Sequence, residues 1–193
     1  MAQVLKAETE QRILASAVEE FFQKDFRTAN MRSIAARAGI PTGLIYTYFK
    51  NKESLFEVVV RPVYLAVKNL DLENEKNGSA PFANFFNTEA KQLVALLSSY
   101  RKQFVILIEK SEGTKFEGSL EAFASLTEQH IKRHLTKKLC RQTVADDLVF
   151  HILAHNFIQG FVEIAKHHDE TASVQELVDM LGKLYFYGVK ALV

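Results

Sequence analysis

Residues 30 to 56 read NMRSIAARAGIPTGLIYTYFKNKESLF, and the fold is decided in this stretch. Asn30 has a side chain that can accept from the unpaired amides opening a helix, so it caps MRSIAARA, which turns Ile34, Ala35 and Ala38 inward. Gly39 ends that helix. A short helix follows at PTGLIYTYF, where Pro41 has the fixed φ of a first helical turn and Ile45 and Phe49 recur four apart. Asn51 then caps a long segment beginning KESLFEVVV. Upstream, Glu8 to Lys24 set Ile13, Leu14, Ala17, Val18, Phe21 and Phe22 at three- and four-residue spacing, the mark of a helix with one buried stripe.

Two short helices separated by a glycine turn, with a third packed across them, predict a helix-turn-helix whose second member enters a DNA major groove. Ala35 and Ala38 are small enough for close approach, while Ile34, Ile45 and Phe49 fill the space between the helices. Thr42, Gly43, Leu44, Tyr46, Thr47 and Tyr48 are left to face outward. Arg32 and Lys52 flank that face and can neutralise phosphates. A Tyr/Phe cluster at helical spacing also suits a plain core, and a basic run also suits a solvated surface; the ordered set taken together favours DNA. Charge points the same way. The chain carries a net +1, yet Lys24 to Lys52 holds six basic residues against Asp25 alone.

Composition narrows the rest. In 193 residues there are only 8 Gly and 3 Pro, little turn chemistry for an all-β sandwich or barrel. A hydrophobic share of 48% suffices for a real core. Cys140 is the single cysteine, which excludes an internal disulfide and a Cys-based zinc knuckle. The opening MAQVLKAETEQR has no secretory pattern and no apolar segment reaches the ~18 residues of a membrane span, so the expectation is a soluble, cytoplasmic chain without membrane partners. Pro62 is expected to break or kink the fourth helix, which runs to about residue 73. The stretch NEKNGSAP, residues 74 to 81, reads as a loop, and helices are expected at roughly 82 to 98, 100 to 111, 117 to 138, 144 to 167 and 173 to 190. The sum is an all-α fold of about nine helices.

The run ILASAVEEFF followed by NMRSIAARAGIPTGLIYTYFKNKESLF resembles the tetracycline-repressor (TetR) family of bacterial transcription regulators. Ile34, Ala35, Ala38, Gly39, Tyr46, Tyr48, Phe49, Lys52, Glu53 and Leu55 fall in the family's order and spacing. The resemblance implies a helix-turn-helix DNA-binding domain over 1–52 and a helical effector-binding and dimerisation domain over 53–193. It implies phosphate contacts from Tyr46, Tyr48 and Lys52, with Arg32, Thr42, Gly43, Leu44 and Thr47 near base edges or the adjacent backbone. Asp25 stands where the family often has Gly, at a turn expected to need a left-handed residue. Leu44 replaces a frequent small hydroxyl and suits contact with a thymine methyl.

The family architecture further implies a homodimer through the last two helices, reading a palindromic operator and released by a small-molecule effector. The residues agree with such pairing. Segments 144–167 and 173–190 are apolar on more than one face, which calls for two packing partners, and Gly160, Gly182 and Gly188 permit close approach. Tyr64, Phe86, Phe104, Glu109, Phe123, Asn156, Gln159 and Phe161 are the candidate effector contacts, from a wider set that includes Phe82, Phe85, Phe116, Phe157 and Glu163. The pairs His130/His134 and His151/His155 have helical i, i+4 spacing, but without the Glu of HExxH they read as structural or solvent-exposed rather than metal-binding. No cofactor is expected. Absence of GxSxG, P-loop or dinucleotide glycine patterns argues against an enzyme. The expected function is a ligand-responsive DNA-binding regulator, most simply a repressor; the alternative is a helical coregulator acting through a protein partner.

Overall fold

The computed structural model describes the backbone over residues 2–76, 82–135, 144–167 and 171–191. Side chains at 1–4, 70–90, 130, 133–146, 168–172, 186 and 188–193 lie outside the description, and with them the sequence candidates Phe82, Phe85, Phe86, His130, His134, Cys140 and Gly188. Eight helices and no strands occur among the described residues: α1 (Ala2–Gln23), α2 (Met31–Arg37), α3 (Thr42–Tyr48), α4 (Lys52–Lys76), α5 (Phe82–Glu109), α6 (Ser119–Leu135), α7 (Val144–His167) and α8 (Thr171–Ala191). The all-α expectation holds, with one difference in the helix map. The expected division between 82–98 and 100–111 is present as a kink inside α5, where Tyr100 has φ −135° and ψ 29°. But α4 runs through Pro62 without a break. Pro62 and Val58, whose carbonyl the proline leaves without a helical partner, both lie on the exposed side of α4, where water can take the missing donor's place.

The chain divides into two compact units, residues 1–65 with 102–117 and residues 66–101 with 118–193. In the first, α1, α2 and α3 bury Ile13, Ala17, Phe21, Ile34, Ala35, Ile45 and Phe49, as their spacing requires. The ends of these short helices are tied down. Asn30 Oδ1 accepts from the Ser33 amide at 2.8 Å, and Asn51 Oδ1 accepts from the Ser54 amide at 2.8 Å while Ser54 Oγ accepts from the Asn51 amide at 3.2 Å, a reciprocal cap. Gly39 has φ +66°, a conformation side chains resist, and Arg12 donates to the carbonyls of Ala38 and Gly39 where the α2 dipole ends.

Asp25 does not adopt the left-handed conformation expected of it, since no residue but glycine among those described has positive φ. Its carboxylate instead closes the α1–α2 turn, accepting from the Thr28 amide at 2.7 Å and the Thr28 hydroxyl at 2.8 Å. Those bonds, the amide first, hold the Asp25 pKa below its ordinary value. A side chain that bonds the backbone three residues on makes the same turn by another route.

In the second unit α7 packs against α6 through Phe150, Ala154 and Ile131, and Val174 and Val178 of α8 are buried. Gly160 sets the α7–α8 approach: a Cβ there would lie 2.9 Å from Leu181 Cδ2, so even alanine forces the leucine to move. Polar bonds tie α6 to α7 at their edge, with Lys132 bridging Glu128 and Asp147 at 2.8 Å each and His151 Nδ1 lying 3.1 Å from Glu128. The expectation that no apolar segment reaches the length of a membrane span is corrected here. Residues Asp147–His167 of α7 are long and apolar enough, by length and composition, to cross a membrane. The physical reason is that α7 carries apolar residues on two faces, one of them packed on α6 and α8.

Candidate nucleic-acid interface

Burial divides α3 in two. Ile45 and the following Phe49 are buried against the first unit's core, whereas Thr42, Gly43, Leu44, Tyr46 and Thr47 are exposed, Tyr46 at 51% and Leu44 at 39%. An apolar leucine and a tyrosine left in water on a seven-residue helix have no structural task inside the chain. Gly43 has nothing within 4 Å of where a Cβ would stand, so its face is open to a close neighbour. Thr47 turns its hydroxyl back to the Leu44 carbonyl at 2.8 Å, which leaves its methyl and oxygen lone pairs outward. Tyr48 is half-buried, and Arg32, at the start of α2, is exposed. The structure therefore brings Arg32 and the α3 residues onto the surface of one compact unit, with Lys50 exposed just beyond.

Lys52 behaves differently from the others. Its ammonium donates to the carbonyls of Ala29 at 2.8 Å and Arg27 at 3.1 Å and lies 4.6 Å from the Phe26 ring centroid. It thus ties the start of α4 to the α1–α2 turn with two of its three N–H donors. Replacing Lys52 by alanine is expected to destabilise the first unit by about 1.5–3 kcal/mol, the usual cost of charge-assisted bonds, whereas Lys52→Arg should recover part of it; urea unfolding of both variants checks this. Sequence reasoning did not find these acceptors, because a carbonyl that ends a turn leaves no mark in side-chain pattern. It also passed over Arg12, although a cation one helix away from an α2 carboxyl end is a detectable signal.

Residues 13–59 match the family described as bacterial regulatory proteins, tetR family. Residues 13–59 thus carry a TetR-family amino-terminal domain. Among curated proteins it resembles the uncharacterized HTH-type transcriptional regulator YhgD of Bacillus subtilis (strain 168), 29% identical over 97 residues, which are 50% of this chain and 48% of that one. The chain thus matches about half the length of that relative. Among solved structures it is similar to NalD of Pseudomonas aeruginosa, the secondary repressor of the MexAB-OprM multidrug efflux pump, at TM-score 0.59 and 21% identity over 92% of this chain and 96% of that one. It is also similar to the regulator FadR of Bacillus subtilis in complex with stearoyl-CoA, at TM-score 0.53 and 15% identity, covering 89% and 97% of the two chains. At these identities the likeness is one of fold.

The effector candidates fall in both units, each described by itself. In the first, Tyr64 meets Phe116 edge-on at 5.3 Å, Phe104 is buried and Glu109 is exposed. In the second, Phe123 is buried in the core, Phe161 stacks edge-on with Phe157 at 4.8 Å, Gln159 donates to Glu163 at 3.3 Å and Asn156 is exposed. Phe157 also meets Tyr185 at 4.9 Å, and burial pushes the Tyr185 pKa up to about 12. Tyr185 was not among the sequence candidates; its ring is half-buried beside Phe157, which only packing reveals. No group of three or more possible metal ligands occurs among the described residues.

Proposed function

We propose that the protein is a homodimeric, cytoplasmic repressor that reads a palindromic operator and is released by a small-molecule effector, acting by binding and not by catalysis. The observation that carries this reading is the split on α3, where Ile45 is buried while Thr42, Gly43, Leu44, Tyr46 and Thr47 face solvent within the TetR-family segment. Tyr46, Tyr48 and the remaining donor of Lys52 serve as phosphate contacts, and Arg32, Thr42, Gly43, Leu44 and Thr47 approach base edges. Residues 1–52 form the DNA-binding part and 53–193 the effector-binding and dimerisation part. Residues 53–65 and 102–117 nonetheless fold with the first part as one unit.

Pairing is supported by the apolar residues that a single chain leaves in water. Leu148 and Ile152 on α7, and Met180, Leu184 and Tyr187 on α8, are exposed and recur at helical spacing, so each helix has a second apolar stripe besides its buried one. Two subunits then place two copies of α3 about 34–36 Å apart for successive major grooves. The effector is an apolar or partly apolar small molecule; its candidate contacts are Phe123, Asn156, Gln159 and Phe161 in the second unit, with Tyr185 as a further polar group there, and, taken separately, Tyr64, Phe104 and Glu109 in the first; the stearoyl-CoA in FadR is a precedent for this fold.

Selecting bound fragments from a random duplex pool tests the reading. Recovery of a two-fold symmetric sequence is expected, and failure to enrich any sequence contradicts it in favour of a coregulator acting through a protein. On the recovered duplex Tyr46→Ala should weaken binding across all sequences by roughly 5- to 30-fold, the scale of one or two lost kcal/mol, while Thr42→Ala and Leu44→Ala should change which bases are preferred. Equal losses on every sequence for all three variants would contradict these roles.

A further inference from the structure

The connection between α5 and α6 folds with the DNA-binding unit and is built as a rigid loop. Ser111 is buried and donates to the Phe116 carbonyl at 3.1 Å, Thr114 donates its amide to the Ser111 carbonyl at 3.0 Å, and the Gly113 amide donates to Glu117 at 2.8 Å. This loop grips the α1–α2 turn and α4. The Lys110 carbonyl accepts from the Phe26 amide at 3.0 Å, Glu112 pairs with Arg27 at 2.9 Å, Lys115 pairs with Glu57 at 2.6 Å, and Phe116 meets the Phe56 ring at 6.4 Å. The turn so gripped is the one whose carbonyls, Arg27 and Ala29, hold Lys52, and it leads directly into Asn30, the cap of α2.

We propose that residues 110–117 are a latch that positions the DNA-binding face, with Arg27 and Glu112 acting as positioning residues that touch no DNA. The inference rests on the DNA-binding reading given above. Its physical content is that the α1–α2 turn is held from two other parts of the chain: Lys52 from α4, and the loop by one backbone bond and one ion pair. The chain passes into the second unit directly after the latch, at residue 118, and before it through residues 102–109 of α5, which belong to the first unit. The latch is therefore joined covalently to the second unit by a route to the turn that does not pass along α4. An ion pair as exposed as Arg27–Glu112 contributes little to global stability. It can still set where a turn sits, because the competing positions differ by equally little.

The test uses the full chain and the duplex it selects from a random pool, with Glu112→Arg, Arg27→Glu and the swap Arg27→Glu/Glu112→Arg. Glu112→Arg adds positive charge near a DNA-binding face, so field alone would tighten binding. The latch instead makes it weaker by about three- to tenfold, the scale of losing one exposed pair and gaining a like-charge contact. Amide exchange at residues 26–29 should rise in that variant while Tm stays within about 4 °C of the parent. The swap restores the pair, so both exchange and affinity should return to within about twofold of the parent. Binding by Glu112→Arg equal to or tighter than the parent overturns the proposal, as does a swap no tighter than Arg27→Glu alone, which would make Arg27 a phosphate contact. Failure of the parent chain to select any duplex refutes the DNA-binding reading separately, and exchange at 26–29 then still decides whether the latch exists.

Discussion

Phe56→Ala should lower the unfolding free energy of the first unit by about 3–5 kcal/mol, the usual range for emptying a buried aromatic site. Phe56 is 1% exposed and is met edge-on by Phe21 at 5.0 Å and Phe26 at 5.1 Å, with Phe116 tilted at 6.4 Å. Those rings come from α1, the α1–α2 turn and the α5–α6 loop, so no single element can collapse into the space without dragging the others. Aromatic pairs add about 0.5–1.5 kcal/mol each beyond area burial, which places the loss toward the upper end. Leu44→Ala is the control. Leu44 sits on the exposed face of α3 and should change stability by no more than about 0.5 kcal/mol. Urea unfolding followed by far-ultraviolet circular dichroism measures both, and a Phe56→Ala loss under about 1 kcal/mol would show that this cluster is not the centre of the unit.

The double variant Ile152→Asp/Leu184→Asp should be monomeric at micromolar concentration and lose affinity for a palindromic duplex by about 10²- to 10⁴-fold, the gain that tethering two binding modules provides. Both side chains are exposed in the single chain, Ile152 at 47% and Leu184 at 69%, so a carboxylate at either place costs the isolated subunit little. Against a second copy the same carboxylates would be buried without partners, which is prohibitive. Analytical ultracentrifugation gives the oligomeric state, and titration of palindrome and half-site duplexes gives the affinity. A parent chain that sediments as a monomer, or a variant that binds the palindrome as tightly as the parent, would refute pairing through α7 and α8. An unchanged Tm in the variant would separate lost pairing from lost folding.

The helix-turn-helix was legible because its signals are local. Asn30 and Asn51 each cap the helix that follows within three residues, Gly39 takes positive φ where a helix ends, and Ile45 and Phe49 mark the buried side of α3 by their spacing. Asp25 shows where that local logic stops: two side chains can close one turn in different ways, and a bond to Thr28 removed the need for a left-handed residue. Pro62 shows the same limit for a long helix. A proline is tolerated when its orphaned carbonyl meets water, and that depends on which side of α4 the core lies.

What the sequence by itself determined is the all-helical class, the order of α1 to α4 and which side chains of α3 the core leaves outside, since periodicity and capping act within a few residues. What only the tertiary structure decided is which distant groups meet: Lys52 with the carbonyls of the α1–α2 turn, Glu112 with Arg27, Lys115 with Glu57, Leu181 against Gly160. Such pairs are separated by loops and whole helices, and many partners of equal charge or size compete for each. Their choice is made by the joint packing of every element, for which no stretch of residues carries a local mark.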